Sequence, residues 1–433
     1  MILDMKYGKS CVPLDLDRLG NPQILTGREA ESLPDLRAEV LSKLRRPTGT
    51  HGLLDEVRHK RARRVAIIVN DITRPTPYAD ILPPLLAELR AAGIADTDVT
   101  FVVATGIHRG LTGEELRLTL GKEVCDAYNV VNHDCDDHAN LVSLGRLSFG
   151  TELYVNRVVL EADFVIATGV ISPHYFAGFS GGRKAILPGV SGRSTISHNH
   201  SLMTSEAAAV CNLDRNPVHI EMLEAARTTG VQFIINTVTD GIGKTAAVVA
   251  GDVEKAWLEG VRICSRFVVA PISREVDVAI ASAGGFPKDI NVYQAQKAID
   301  NAERAVRKGG TVVLLAECPE GFGEPTFETW MKDARSLDDI FRRFAAGFEL
   351  GGHKAYSLAR VLRDKEVILV SSLDEAVVRS LFLTPARNLD DALHLVESKH
   401  GRKYESIIMP CAGVVVPVPG GDAAGVSCGA KPY

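Results

Sequence analysis

The stretch RVAIIVNDITRPTP, residues 64–77, reads as a strand that runs directly into a stiff polar turn. Val65 to Val69 are five apolar residues in succession, four of them β-branched. An apolar run without alternation belongs to a strand buried on both faces, inside a parallel sheet covered by helices. Pro75 and Pro77 then fix the backbone and remove two donors, so Asp71, Thr73 and Arg74 sit on a rigid loop at the strand's end. A helical pattern over 81–92 follows.

The same grammar recurs on both sides. Residues 99–105 lead into Gly106-Ile107-His108-Arg109-Gly110, residues 129–132 into His133-Asp134, and residues 162–170 into Pro173-His174. Thr112-Gly113-Glu114-Glu115 reads as a capped helix start. A second series begins near residue 276. Residues 276–281 lead into Gly284-Gly285, 311–316 into Glu317-Cys318, 366–370 into Ser371-Ser372 and 406–409 into Pro410, with a helical pattern over 291–308. Strands alternating with helices predict βαβ units. The expected fold class is α/β: two α/β domains with largely parallel sheets and an active site in the cleft between them. The expected boundaries are 1–268, a smaller 269–416, and a loosely ordered tail over 417–433. The joint is placed around 265–275, where Pro271 interrupts the pattern.

Bulk properties exclude several functions. The 433 residues suit two or three domains. The net charge of −5 comes from mixed acids and bases with no basic stripe, which argues against nucleic acid as a partner. No window approaches the roughly 18 apolar residues of a membrane span. Residues 1–13 carry Asp4, Lys6 and Lys9 and lack the apolar core of a signal peptide. Eight cysteines, none in a C-x-x-C pair, fit a reducing cytoplasm.

In open α/β sheets ligands bind at the carboxyl ends of the strands. Here four such ends carry Asp71 and Arg74, His108 and Arg109, His133 and Asp134, and His174. An arginine on a stiff loop suits a carboxylate or phosphate, although a proline-rich connector with a surface arginine has the same sequence. His108 between glycines is a candidate acid or base, against the commoner structural histidine. The longest motif is PHYFAGFSGGRKAILPG, residues 173–189. Its glycine turn with basic residues resembles a phosphate cradle. It is no Walker A loop, because Ala185 follows Lys184 where serine or threonine is needed. Apolar residues frame Lys184, and burial there lowers its pKa and suits covalent attachment; the plainer alternative is a tight turn with a solvated lysine.

His198-Asn199-His200, read as extended chain, offers at most one ligand to a soft or borderline metal. Asp240-Gly241-Ile242-Gly243-Lys244-Thr245 imitates the end of a P-loop, but Val238 stands where the first glycine is required, so a hairpin turn is the better reading. Gln294 and Lys297 share a helix face and suit an anionic substrate, or simply an exposed surface.

Together, DITRPTP (71–77), GIHRG (106–110), NHD (132–134), the 173–189 stretch, HNH (198–200), NP (216–217), YQAQK (293–297) and GGHKA (351–355) resemble the LarA-type lactate racemase family. The resemblance implies an isomerase that racemises or epimerises a small 2-hydroxy acid, lactate- or malate-like. It implies a nickel pincer nucleotide tethered to Lys184 through a thioamide, with His200 as the metal ligand. His108 and His174 would be the proton-transfer pair. Arg74, Gln294 and Lys297 would hold the substrate. Asp71 and Thr73 would contact the cofactor or orient its neighbours, and Gly181 and Gly182 would lie near its phosphate. Cofactor-maturation enzymes become expected partners, with no nucleic acid and no membrane.

This division suits the chemistry. The α-hydrogen of a 2-hydroxy acid is too weakly acidic to leave easily as a proton, whereas removal as hydride avoids the carbanion. The hydroxyl proton must leave with it, so bases near neutral pKa are needed. Two rival readings share the lysine. A Schiff-base, pyridoxal-phosphate enzyme would need neither His200 nor the two histidine bases. A non-catalytic nucleotide-carrying protein would dispense with the bases.

Overall fold

The computed structural model describes residues 1–19, 22–31 and 33–419. The chain divides into two compact units. One comprises residues 30–266. The other joins Met1–Glu29 to the described residues from Phe267 onward.

The 30–266 unit is built on a six-stranded sheet. Its strands are β1 (Val65–Asn70), β2 (Val99–Ala104), β3 (Asn129–Asn132), β4 (Phe164–Ile171), β5 (Phe233–Thr239) and β6 (Thr245–Gly251), in the order β6-β5-β4-β1-β2-β3. All neighbours are parallel except β5 and β6, which form an antiparallel hairpin across the Asp240–Lys244 turn. That turn is the one expected from the false P-loop. Helices α1 (Leu36–Arg45), α2 (Leu53–His59) and α3 (Tyr78–Ala92) cover one face, packing on Val65, Ile67 and Val69 of β1 and their neighbours. Ala66 and Ile68, on the opposite face, are also buried, which explains the unbroken apolar run. Helix α4 (Gly113–Leu120) starts at a complete capping box, Thr112 with Glu115. Helices α5 (Arg193–Ser201) and α6 (Pro217–Thr229) complete what is needed to describe the site. Because β1, β2, β3 and β4 are parallel, their carboxyl ends share one edge, and Asp71, His108, His133 and His174 all follow that edge.

The second unit has an all-parallel sheet of β7 (Val276–Ser282), β8 (Val306–Leu315), β9 (Glu366–Val370), β10 (Thr384–Ala386) and β11 (Ser406–Met409). Its order is β10-β9-β8-β7-β11, with Gln23–Ile24 added beside β11. Helices α7 (Val292–Ala302) and α8 (Gly352–Leu362) pack on each other, and α7 packs on β7 and β8. On one face α9 (Leu389–His400) and the hairpin Ile2–Tyr7/Ser10–Asp15 bury Met5, Leu14, Leu16 and Leu19 against the strands. Asp289 ties the hairpin tip down, accepting the Gly8 amide at 2.7 Å.

Three boundaries differ from expectation. Residues 1–29, expected in the first domain, belong to the second unit, whereas the joint at 266/267 falls within the expected 265–275. The helical pattern over 291–308 ends earlier: α7 stops at Ala302, Glu303–Ala305 is a single 3-10 turn, and Val306 already pairs with Val276. The tail is ordered at its start, since Val416–Pro419 pairs in parallel with Val269–Ile272, and the rest of 417–433 lies outside the described residues. Among the described residues no helix is long and apolar enough to cross a membrane.

Candidate active site

Asp71 follows β1 and is 4% exposed. Its Oδ2 lies 2.6 Å from His108 Nδ1, and its Oδ1 accepts the Thr73 amide at 3.1 Å and hydroxyl at 2.6 Å. Burial pushes the Asp71 carboxyl up, but hydrogen bonds from His108 and Thr73 and the charges of His108 and Arg74 outweigh it, leaving the group below the usual carboxylate range. An ionised carboxylate accepts from Nδ1–H and thereby assigns the neutral ring's lone pair to Nε2. His108 is thus an oriented base. Asp71→Asn is expected to lower kcat about 10²-fold with the fold intact, measured by steady-state kinetics; an unchanged kcat would remove Asp71 from the mechanism.

The second pair is His174 and Lys184. The 3-10 turn Gly182–Ala185 packs against β4, β1 and β5 and delivers the Lys184 Nζ to 3.4 Å from His174 Nε2. The Ala177 amide donates to His174 Nδ1 at 3.3 Å, so a neutral ring carries its proton on Nε2, facing the amine. Burial, together with the charges of Arg183 and Arg74, holds the Lys184 amine well below its usual range. Burial, then the charges of Lys184, Arg74, His200 and Arg183, holds His174 well below the usual histidine range. Phe176 is the common wall. Its ring centroid is 4.6 Å from that of His174, 5.0 Å from that of His200 and 5.7 Å from Lys184 Nζ.

His200 is carried by α5, so His198-Asn199-His200 is helical, not extended. The correction leaves the count of ligands unchanged. Two residues along a helix turn about 200°, so His198 is exposed while His200 is 8% exposed. The side chain of Glu221, on α6, fixes this helix by accepting from Asn199 Nδ2 at 3.2 Å and from the amides of Phe149 and Thr151.

Arg183 was not anticipated. It is fully buried, its guanidinium lies 3.7 Å over the Trp257 ring, and it donates only to neutral acceptors, His219 Nδ1 and the Ala177 carbonyl, both at 2.8 Å. Its Nη1 has no hydrogen-bond partner among the described residues, nor has Nδ2 of the equally buried Asn236. A buried cation without a carboxylate is costly unless an anion joins it. Gly181 and Gly182, expected beside a cofactor phosphate, are explained by packing. Both have positive φ, and a Cβ there would meet Ile171 and Val170 or Trp257 within about 3 Å. The Gly182 amide donates to Asn236 Oδ1 at 2.9 Å. A nucleophilic amine, a buried imidazole and an uncompensated guanidinium fit an anionic, metal-bearing group that acylates lysine.

The other sequence candidates divide. Arg74 is exposed, donating to the Thr73 carbonyl at 3.1 Å, and its charge reaches Asp71, His174 and Lys184. Arg109 is held by both Glu115 oxygens at 2.6 and 2.7 Å, within the α4 cap. His133 is a core residue bonded to the Ser191 carbonyl and Asn156. Gln294 and Lys297 belong to α7 in the other unit, where Lys297 Nζ donates to Gln294 Oε1 at 3.1 Å.

An aspartate-backed histidine and a second histidine beside a buried lysine thus lie on the carboxyl edge of a parallel sheet, where α/β enzymes bind their ligands. The model of the lactate racemase N-terminal domain matches residues 7–211, and that of the lactate racemase C-terminal domain matches 272–418. The chain therefore belongs to the lactate racemase family, a family of isomerases. It is 34% identical over 405 residues to the lactate racemase of Thermoanaerobacterium thermosaccharolyticum, covering 92% of this chain and 94% of that one. It is 33% identical over 424 residues to the lactate racemase of Lactiplantibacillus plantarum, covering 96% and 99%. The solved lactate racemase apoprotein from T. thermosaccharolyticum matches with a TM-score of 0.89 at 32% identity, over 96% of this chain and all of that one. A Thermotoga maritima protein, at 17% identity and a TM-score of 0.62 over 91% of this chain and all of that one, shares the fold.

Proposed function

We propose that this protein racemises lactate or a closely similar short 2-hydroxy acid, with a nickel pincer nucleotide tethered to Lys184 and His200 as the protein ligand to nickel. One observation carries the reading: Lys184 Nζ lies 3.4 Å from His174 Nε2, against a phenyl ring that also contacts His200. A lysine for tethering, an imidazole for metal and a base for substrate thereby share one wall. The relatives named lactate racemase support the substrate class.

When bound, the nucleotide supplies the acceptor that takes the substrate's α-hydrogen as hydride and returns it. The chain's own residues do the rest. Arg74 offers a fork for the substrate carboxylate. His108 Nε2 takes the hydroxyl proton of one enantiomer, and Asp71 stabilises the imidazolium that forms. His174 serves the other enantiomer. In the opposite direction it would return a proton to the carbonyl oxygen of the 2-keto acid. With one histidine taking the hydroxyl proton and the other returning a proton to the carbonyl oxygen, the enantiomer would be inverted with no net oxidation. Loading of Lys184 falls to separate maturation enzymes.

The test is chiral analysis of L-lactate and D-lactate, each incubated with matured protein, alongside malate and longer 2-hydroxy acids. Conversion of either lactate enantiomer to the racemate is expected, with nickel found by elemental analysis. Protein that bears the Lys184 adduct and leaves every 2-hydroxy acid optically pure would overturn the reading. We also assign Gln294 and Lys297 to the substrate carboxylate. Lys297→Ala is expected to raise KM roughly 10- to 100-fold, the loss of one charge-assisted hydrogen bond of about 1.5–3 kcal/mol.

A further inference from the structure

Helix α7 is buried nearly all round, and only Tyr293, Gln294 and Lys297 of Val292–Asn301 reach solvent. Its hidden side is unexpectedly polar. Gln296, Asp300 and Asn301 are 0%, 3% and 5% exposed, where apolar residues would ordinarily face a sheet. Opposite them α8 brings Lys354 and Ser357, 4% and 1% exposed. The four side chains Lys354, Gln296, Asp300 and Ser357 form one continuous chain. Lys354 Nζ donates to Gln296 Oε1 at 2.6 Å, Gln296 Nε2 donates to Asp300 Oδ2 at 2.7 Å, and Ser357 Oγ donates to Asp300 Oδ1 at 3.0 Å. The Lys354 ammonium also lies 5.2 Å over the Tyr293 ring, touching the accessible stripe from behind. Asn301 Nδ2 holds the helix end to the Ala412 carbonyl at 2.8 Å.

Stability alone does not account for this arrangement, since apolar residues of similar volume often replace a buried ionic network at no loss. What such a network adds is register. An apolar face tolerates small slips and repacking. Here a turn of one residue, about 100°, would draw Gln296 Oε1 away from Lys354 Nζ and Asp300 Oδ1 away from Ser357 Oγ, the two bonds of the chain that join α7 to α8. The same turn would bury Lys297.

We propose that the Lys354–Gln296–Asp300–Ser357 chain is a positioning device that fixes the rotation of α7 and so holds Gln294 and Lys297 on the substrate carboxylate. The proposal rests on the assignment of Lys297 as a substrate ligand. The chain acts on binding.

The experiment is a double-mutant cycle on the matured holoenzyme, using Lys354→Met, Lys297→Ala and the pair, with KM and kcat for lactate measured separately. Lys354→Met is expected to raise KM roughly tenfold and leave kcat within about threefold, the pattern of a misplaced binding group. In the Lys297→Ala background Lys354→Met is expected to raise KM by clearly less than tenfold, because only the route through Gln294 remains. Lys354→Arg, which keeps a cationic donor, is expected to recover part of the loss. A KM unchanged in Lys354→Met beside a raised KM in Lys297→Ala overturns the positioning role alone. Multiplicative effects in the double variant, or a fall confined to kcat, overturn it as well. An unchanged KM in Lys297→Ala removes the substrate assignment and the proposal with it. Should Lys354→Met not fold, Ser357→Ala, which removes one hydroxyl, enters the same cycle with a smaller expected rise in KM.

Discussion

Matured protein carrying Lys184→Ala is expected to show the intact mass of the bare polypeptide and to racemise lactate at background. Acylation requires a neutral amine, and the surroundings of Lys184 push its amine toward that form. Burial disfavours the ammonium, Arg183 and Arg74 add positive potential, and His174 Nε2 lies 3.4 Å from Nζ. Lys184→Arg keeps a long basic side chain but removes the neutral nucleophile. Arginine remains protonated, so it too is expected to carry no adduct and no activity. A full-stoichiometry adduct on either variant, located by peptide mass, would move the attachment to another residue.

Replacing His174 with glutamine is the second large effect. The expected loss in racemisation is about 10²–10⁴-fold, the usual worth of a positioned acid or base, with the Lys184 adduct retained. Inversion needs one histidine to take the proton and the other to give it back, so His108→Gln is expected to fail to a similar degree. The two variants separate in the half reaction. Single-turnover trapping of the 2-keto acid is expected to show each variant oxidising one lactate enantiomer and sparing the other, with opposite preferences. Either variant retaining more than about a tenth of the wild-type racemisation would remove that histidine as a base, since even the low end of the expected effect is larger.

Much of this site was legible in the sequence because the chemistry follows strands of a simple kind. Unbroken apolar runs such as 65–69 occur where both faces are covered, and the residues after them fall on one edge whatever the details of the helices. The local rules stopped short where tertiary contacts decide. His133 and Arg109 stand in the same kind of position as His108, yet one is absorbed by Ser191 and Asn156 and the other by Glu115. His198-Asn199-His200 lacks an apolar period because α5 is short and polar, and Glu221 holds it in place from a distant helix. Arg183 stood in the sequence only as a basic residue beside Lys184; the fold brings Trp257 and His219 against it. The polar back of α7 is likewise invisible without α8.

The chain's passage between units has a consequence for synthesis. Residues 1–29 and the chain from 267 flank a complete unit, and the Arg28 amide bonds the Phe267 carbonyl at 2.9 Å, so the unit between them is an insertion with its ends together. A ribosome therefore releases the catalytic sheet whole, able to fold as its last strand emerges. Gln23–Ile24, made before it, must wait for a partner strand at 406–409. The sheet beside Lys184 is thus complete well before the sheet under α7 can be.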